Sequence, residues 1–130
     1  MNQKQFAELV QRTINDTSRL LVLKGAEYAS DVDRLQNFKR NAERTGLSPL
    51  QVWAVYFFKH IDALESFIKR LEDFQCDNFQ DYQVAIDRMN LSEPIEGRFY
   101  DAINYLFLGL ALLEELQNPP PAEKEDETPL

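Results

Sequence analysis

Apolar positions along the chain recur at spacings of three and four, the mark of amphipathic helices. Between residues 2 and 24 they are Phe6, Leu9, Val10, Ile14, Leu20, Leu21 and Val22, with Thr13 and Thr17 in the same stripe, and they predict a first helix. Gly25 after Lys24 reads as its stop, a glycine just past the end with a cation in the last turn. A second helix is expected from about Asp31 to Arg44, capped by Ser30 or Asp31. Val32, Leu35 and Phe38 face inward, while Arg34, Lys39, Arg40, Glu43 and Arg44 form a solvated face. Gly46 suits the position after its end. Ser48-Pro49-Leu50-Gln51 is the sharpest local signal: serine at the cap, proline in the first turn, and glutamine closing a capping box. The long helix behind it runs to about Leu71 or Phe74 on a stripe of Leu50, Trp53, Ala54, Phe57, Ile61, Leu64, Ile68 and Leu71. Val52, Val55, Phe58 and Phe67 lie outside that stripe and imply a second packed face, against another copy or the second helix. A short helix is expected from about Phe79 to Met89. The last opens at Ser92-Glu93-Pro94 and ends near Gln117, where Asn118-Pro119-Pro120-Pro121 stops it. Within it, Ala102 to Leu113 is apolar all round the wheel except at Asn104, which predicts a central helix packed on every side. That run of about 12 residues is too short to cross a bilayer, which takes about 20.

The pattern is that of one all-α domain, a four-to-five-helix bundle over residues 1–117, followed at 118–130 by a Pro-rich acidic tail expected to be disordered. The 130 residues suffice for a real core, and only 4 glycines argue against a turn-rich β architecture. Net charge is −8. With no basic stretch, the chain is not expected to bind nucleic acid, whose backbone calls for a cationic face. An anionic ligand would need a metal or a few local cations. The single cysteine, Cys76, excludes an internal disulfide and supplies no metal-binding pair. Met1 to Leu9 are polar and mixed, unlike a secretory leader, so a cytoplasmic location without membrane attachment is expected.

No phosphate-binding glycine loop, dinucleotide glycine pattern, HExxH or serine nucleophile elbow is present. The lone histidine and lone cysteine match no local hydrolase signature. What remains is three polar clusters beside apolar helices: Lys24/Glu27/Asp31/Asp33, Lys59/His60/Asp62/Glu65 and Glu93/Glu96/Asp101/Asn104. Each also has an ordinary structural account. The acids at 27, 31 and 33 suit helix capping and dipole chemistry. Lys59 and Asp62 suit an intrahelical ion pair, and His60 suits hydrogen-bonded packing beside aromatics. Asp101 suits the edge of the buried run, with Asn104 bonded to a neighbouring helix. Alternatively, facing helices of a bundle bring such clusters together inside it. Carboxylates from two or three helices would then hold Mg²⁺, an oxygen-seeking ion that keeps substrate phosphates in its shell.

Lys24-Gly25-Ala26-Glu27-Tyr28, Asn37-Phe38, Lys59-His60-Ile61-Asp62-Ala63, Glu93-Pro94-Ile95-Glu96-Gly97 and Asp101-Ala102-Ile103-Asn104-Tyr105 follow one another in an order that resembles a known family. It is that of the MazG-like all-α nucleotide pyrophosphohydrolases of phages, with their dATP/dGTP diphosphohydrolase relatives. The resemblance spans about residues 20 to 116. It implies a MazG-like bundle, a homodimer or higher homo-oligomer, that binds a nucleoside triphosphate through Mg²⁺ and directs water at the α-phosphate to release pyrophosphate. On this chain it implies Asp101 and Glu96 as catalytic acids, with Glu27, Asp62 and Asp101 on the metal. Lys24, Lys59 and Arg98 would neutralise phosphates, with His60 completing a cationic pair beside Lys59. Asn104 would bond sugar or base, and Tyr28 or Tyr105 would stack on the base. Where the family typically carries E-x-x-D, this chain reads Asp101-x-x-Asn104, and the neutral amide is a poorer Mg²⁺ ligand. Two rival functions follow. One is a non-catalytic sponge for a nucleotide signal. The other is a protein-interaction module, such as an anti-defence factor, whose acidic surface meets a basic partner.

Overall fold

The computed structural model describes residues 1–28, 32–119 and 121, the side chain of Tyr28 excepted. Five helices follow in order: α1 (Gln3–Tyr28), α2 (Gln36–Thr45), α3 (Pro49–Glu72), α4 (Phe79–Arg88) and α5 (Ile95–Gln117), and no strand occurs among the described residues. The expected Ser30 or Asp31 cap and most of the expected tail lie outside them.

The helix ends show which local signals carry the fold. Ser48 Oγ accepts from the Gln51 amide, and the Gln51 side chain accepts from the Ser48 amide, so the capping box forms with Pro49 in the first turn. Gly46 ends α2 in the left-handed region at φ 73°, where its amide donates to the Ala42 carbonyl. The α2 start differs from expectation. Residues 33–35 form a turn in which Asp33 Oδ1 accepts from the Leu35 amide, and the helix begins only at Gln36. Gly25 is not a stop either, for α1 runs through it to Tyr28. A Cβ at Gly25 would lie 2.7 Å from Arg34 Nε, so glycine there lets the guanidinium cross the helix at close range. At the start of α5 the N-cap is Pro94 rather than Ser92, and it makes no side-chain capping bond.

The spine is the antiparallel pair α3–α5, with α2 laid on α3, α1 on α5, and α4 touching α3 lightly. Leu35, Phe38, Ala42, Val52 and Leu112 form the buried core, with Leu50, Trp53, Tyr105, Leu108 and Ala111 packed around it. Two contacts set how closely the spine helices approach. The Trp53 indole N–H donates to the Tyr105 carbonyl, and its ring stacks on Phe57 with centroids 5.0 Å apart. A Cβ at Gly109 would sit 2.7 Å from two carbons of that indole, so α5 passes Trp53 only because residue 109 has no side chain. Lys39 ties the α2 entry to the end of α5, reaching Asp33 at 2.7 Å and Glu115 at 2.8 Å. Its hydrogen bonds to Asp33 and Glu115 raise the Lys39 pKa. Burial alone would raise the Asp33 carboxyl; its bonds to Lys39 and to the Leu35 amide outweigh that and lower it.

The expectation that Ala102 to Leu113 is packed on every side is corrected within this single chain. Ala102, Asn104 and Leu112 are buried, whereas Leu106, Phe107, Leu110 and Leu113 face outward, Leu110 being 62% exposed. Phe6, Val10 and Ile14 on α1 and Val55, Phe58 and Ile68 on α3 are exposed as well. Val32, expected to point inward, is also exposed, while Val52, assigned to a second face, belongs to the core. No described helix is long and apolar enough to cross a membrane.

Candidate functional site

Four helices and the turn before α2 enclose a cleft of about 540 Å³, within the range that holds a small ligand. Each helix contributes side chains at the spacing that keeps them on one face. From α1 come Lys24 and Glu27; from α2, Asn37, Arg40 and Asn41; from α3, Tyr56, Lys59 and His60; from α5, Asp101, Asn104, Tyr105 and Leu108. Arg34 enters from the turn, with Leu21 beside it. Phe38, wholly buried against the spine, fixes the rotation of α2 so that Asn37 and Asn41 border the opening.

The electrostatics invert those of the chain as a whole. Among the described residues, Lys24, Arg34, Arg40 and Lys59 share this cleft with two acids, Glu27 and Asp101, on a protein of net charge −8. Lys24 Nζ lies 2.8 Å from Asp101 Oδ1, with the Asp101 side chain 16% exposed. The other Asp101 oxygen is 3.8 Å from His60 Nδ1, too far for a hydrogen bond. His60 rests on Tyr105, ring centroids 4.7 Å apart. Burial lowers its pKa below the usual 6.5; Asp101 pulls the other way, while Lys24, Arg98 and Lys59 add to the lowering. The ring is therefore neutral at pH 7, and the positive charge of the cleft comes from the lysines and arginines.

Buried polar groups normally have partners. Among the described residues, the buried side-chain atoms without one are Asn37 Oδ1, His60 Nδ1 and both amide atoms of Asn104, and all three residues line this cleft. Among the described residues, the site thus combines a cluster of cations on an acidic protein with buried side-chain polar atoms that lack partners.

Of the residues singled out from sequence, the structure brings together Lys24, Glu27, Lys59, His60, Asp101, Asn104 and Tyr105. It does not bring Asp62 or Glu96, both exposed and outside the cleft lining. Arg98 pairs with Glu93 at 2.9 Å and lines a separate hollow of about 360 Å³ with Arg70, although its charge is felt at His60. The side chain of Tyr28 and all of Asp31 lie outside the described residues. Asp33 is occupied in the α2 turn. The expected metal trio of Glu27, Asp62 and Asp101 therefore contributes only its first and last members here. Among the described residues no three His, Cys, Asp or Glu side chains gather as a metal-binding group.

Sequence reasoning placed Asn37 in a motif but gave it no role, and it missed Arg34, Arg40, Asn41 and Tyr56 as cleft residues. A signal existed: 34, 37 and 41 repeat at helical spacing with 40 alongside, and all four are polar with long or amide side chains. No protein-family model matches the chain, and no curated protein or solved structure matches it.

Proposed function

We propose that the chain binds a nucleotide, or another phosphorylated molecule derived from one, in the cleft between α1, α2, α3 and α5. The observation that carries this is the concentration of four cations at a partly enclosed cleft of a strongly acidic protein. Phosphates are the ligands such a group receives best, arginine by its two-pronged geometry and lysine as a point charge. The aromatic lining from Tyr56, His60 and Tyr105 supplies flat surfaces for a base or sugar. The motif order that resembles the MazG-like phage proteins supports the same class of ligand. Binding through cations needs no metal, so nucleotide binding is proposed ahead of a reaction that depends on one.

A Mg²⁺-dependent pyrophosphohydrolase is the second reading, favoured by the presence of both Glu27 and Asp101 at the same cleft. Magnesium is commonly held by one or two carboxylates plus substrate phosphates, so this donor set fits at its lower limit. Asp101 would first have to leave Lys24. Bound there, the ion would supply charge neutralisation and polarisation at the phosphates. A thermal-shift screen of nucleotides with and without Mg²⁺, followed by a pyrophosphate-release assay, separates the readings. The leading one expects stabilisation in EDTA without turnover. Stabilisation confined to Mg²⁺, with pyrophosphate released, moves the assignment to the enzyme. No shift with any nucleotide removes both.

We infer also that a second copy of the chain covers the outward apolar faces of α1, α3 and α5, where Phe6, Val10, Ile14, Val55, Phe58, Ile68, Leu106, Phe107 and Leu110 are exposed. Light scattering should then give a multiple of the 15.2 kDa protomer mass, reduced by Leu110→Lys. A single protomer mass at all concentrations would rule this out.

A further inference from the structure

We propose that the hollow between the C-terminal half of α3 and the start of α5 is a second anion site, which receives a single phosphate group. Its ligand is inorganic phosphate or the phosphate of a small phosphorylated metabolite. The hollow of about 360 Å³ shares no lining residue with the larger cleft, so this assignment stands apart from the nucleotide reading.

Three segments build it. Ala63, Ser66, Phe67 and Arg70 recur at spacings of three and four along α3 and so share one face. Ile95 and Arg98, one turn apart, do the same on α5. The link from α4 closes the remaining side. Asn90 takes the left-handed conformation at φ 50°, which turns the chain just after α4, and residues 90–93 then line the hollow. Phe67, Leu91 and Ile95 make its walls partly apolar, and charges beside such walls are less screened than in open water.

The charge of the hollow is what a phosphate needs. The protein has 22 acidic against 14 basic side chains, yet here two guanidiniums share the lining with one carboxylate, Glu93. Arg98 pairs with that carboxylate at 2.9 Å. Arg70 instead donates to the Met89 carbonyl at 2.6 Å, and among the described residues no carboxylate pairs with it. The carbonyl takes one of five guanidinium N–H groups and does not neutralise the charge. Both guanidiniums are therefore held in place before a ligand arrives, which lowers the ordering cost of binding. Two of them favour phosphate over carboxylate. One guanidinium fork fills both oxygens of a carboxylate, whereas a phosphate keeps further oxygens and a second negative charge for the other fork. Ser66 and Ser92, both exposed, add hydroxyl donors.

The test is nitrogen–proton NMR of the labelled protein, titrated at constant ionic strength with inorganic phosphate, glycerol 3-phosphate or acetate. Phosphate should give saturable shifts in the backbone amides between residues 90 and 98 and in the Asn90 side chain, with an affinity about tenfold above that for acetate. Arg98→Gln should weaken phosphate binding about tenfold. Glu93→Gln removes the competing acid and should tighten it about threefold. Neither change touches the bond that holds Arg70 to the end of α4. Arg40→Ala with Lys59→Ala, which strips two cations from the larger cleft, should leave these shifts in place. Tighter binding of inorganic phosphate than of glycerol 3-phosphate would identify the free ion as the ligand, and the reverse a phosphorylated metabolite. Shifts that do not saturate, an equal response to acetate, or one phosphate affinity across the wild type, Arg98→Gln and Glu93→Gln would overturn the assignment. So would shifts abolished by Arg40→Ala with Lys59→Ala, which would place the phosphate in the cleft.

Discussion

Replacing Asp101 by asparagine separates an anion-binding cleft from a metal-dependent one, because the two respond in opposite directions. In the free protein Asp101 neutralises Lys24 across 2.8 Å. A phosphate arriving at Lys24 meets the carboxylate on the far side of the ammonium, roughly 6 Å away. At that separation two unit charges repel by about 0.7 kcal/mol in water and about 3 kcal/mol at the effective dielectric of a protein surface. Asp101 is mostly buried but Lys24 is 46% exposed, so a value near 1 kcal/mol is reasonable after solvent screening. Asp101→Asn keeps the shape, removes the repulsion and frees the ammonium. Affinity for tripolyphosphate or a nucleotide in EDTA should therefore rise by about fivefold. The gain should shrink at high salt, as screened electrostatics require. Loss of the ion pair should lower stability by at most about 1 kcal/mol. Isothermal titration in EDTA, at low and at 0.5 M salt, reads all of this. Weaker metal-free binding in the variant would refute the reasoning, and so would affinity unchanged at low salt.

Gly109→Ala should destabilise the protein although alanine is the better helix former. Its Cβ would have to move roughly 0.7 Å from the Trp53 ring to regain ordinary contact, and overpacking of that kind costs about 1–3 kcal/mol against about 1 kcal/mol of propensity gained. Thermal melting followed by circular dichroism should show a fall of a few degrees; a rise would mean that α3 and α5 are not held at this distance. His60 is the chain's one histidine, so its ring can be titrated by NMR without overlap. Its pKa should lie below 6.5, chiefly through burial. The unfolded chain then takes up the proton first as pH falls, so the stability contributed by neutral His60 is present above 6.5 and is lost as pH drops through the folded value. Urea unfolding should show this loss, and His60→Gln should lack it. An NMR pKa above 6.5 would reverse the assignment.

Much of the fold was legible in local sequence, because its signals act over one turn. Ser48 with Gln51, Gly46, and the proline at 49 each satisfy backbone groups that no distant residue needs to complete. Gly25 misled for the opposite reason: its purpose is the close passage of Arg34, a contact across the chain. The α5 run was misread as fully packed because an apolar pattern all round the wheel does not show which faces the other helices of the chain reach, and Leu106, Phe107, Leu110 and Leu113 are left exposed. Within the site, residues one turn apart were recoverable, as with Asp101, Asn104 and Tyr105. Rotation about the axis was not. At about 100° per residue, Asp62 sits about 200° round from His60 and Glu96 about 140° from Asp101, so neighbours in sequence face away from the cleft. Arg40 is exposed, as the polar face of α2 implied, and still borders the cleft, whereas Arg34 was misread because the turn before α2 carries it across Gly25 to the Leu21 carbonyl.

The most direct measurement of where a ligand goes is nitrogen–proton NMR of the side-chain amides while dATP is titrated into the labelled protein. Saturable shifts at Asn37, Asn41 and Asn104, lost in Arg40→Ala with Lys59→Ala, are the outcome the cleft assignment predicts. Shifts confined to the hollow near Arg70 and Asn90, or none at all, would contradict it.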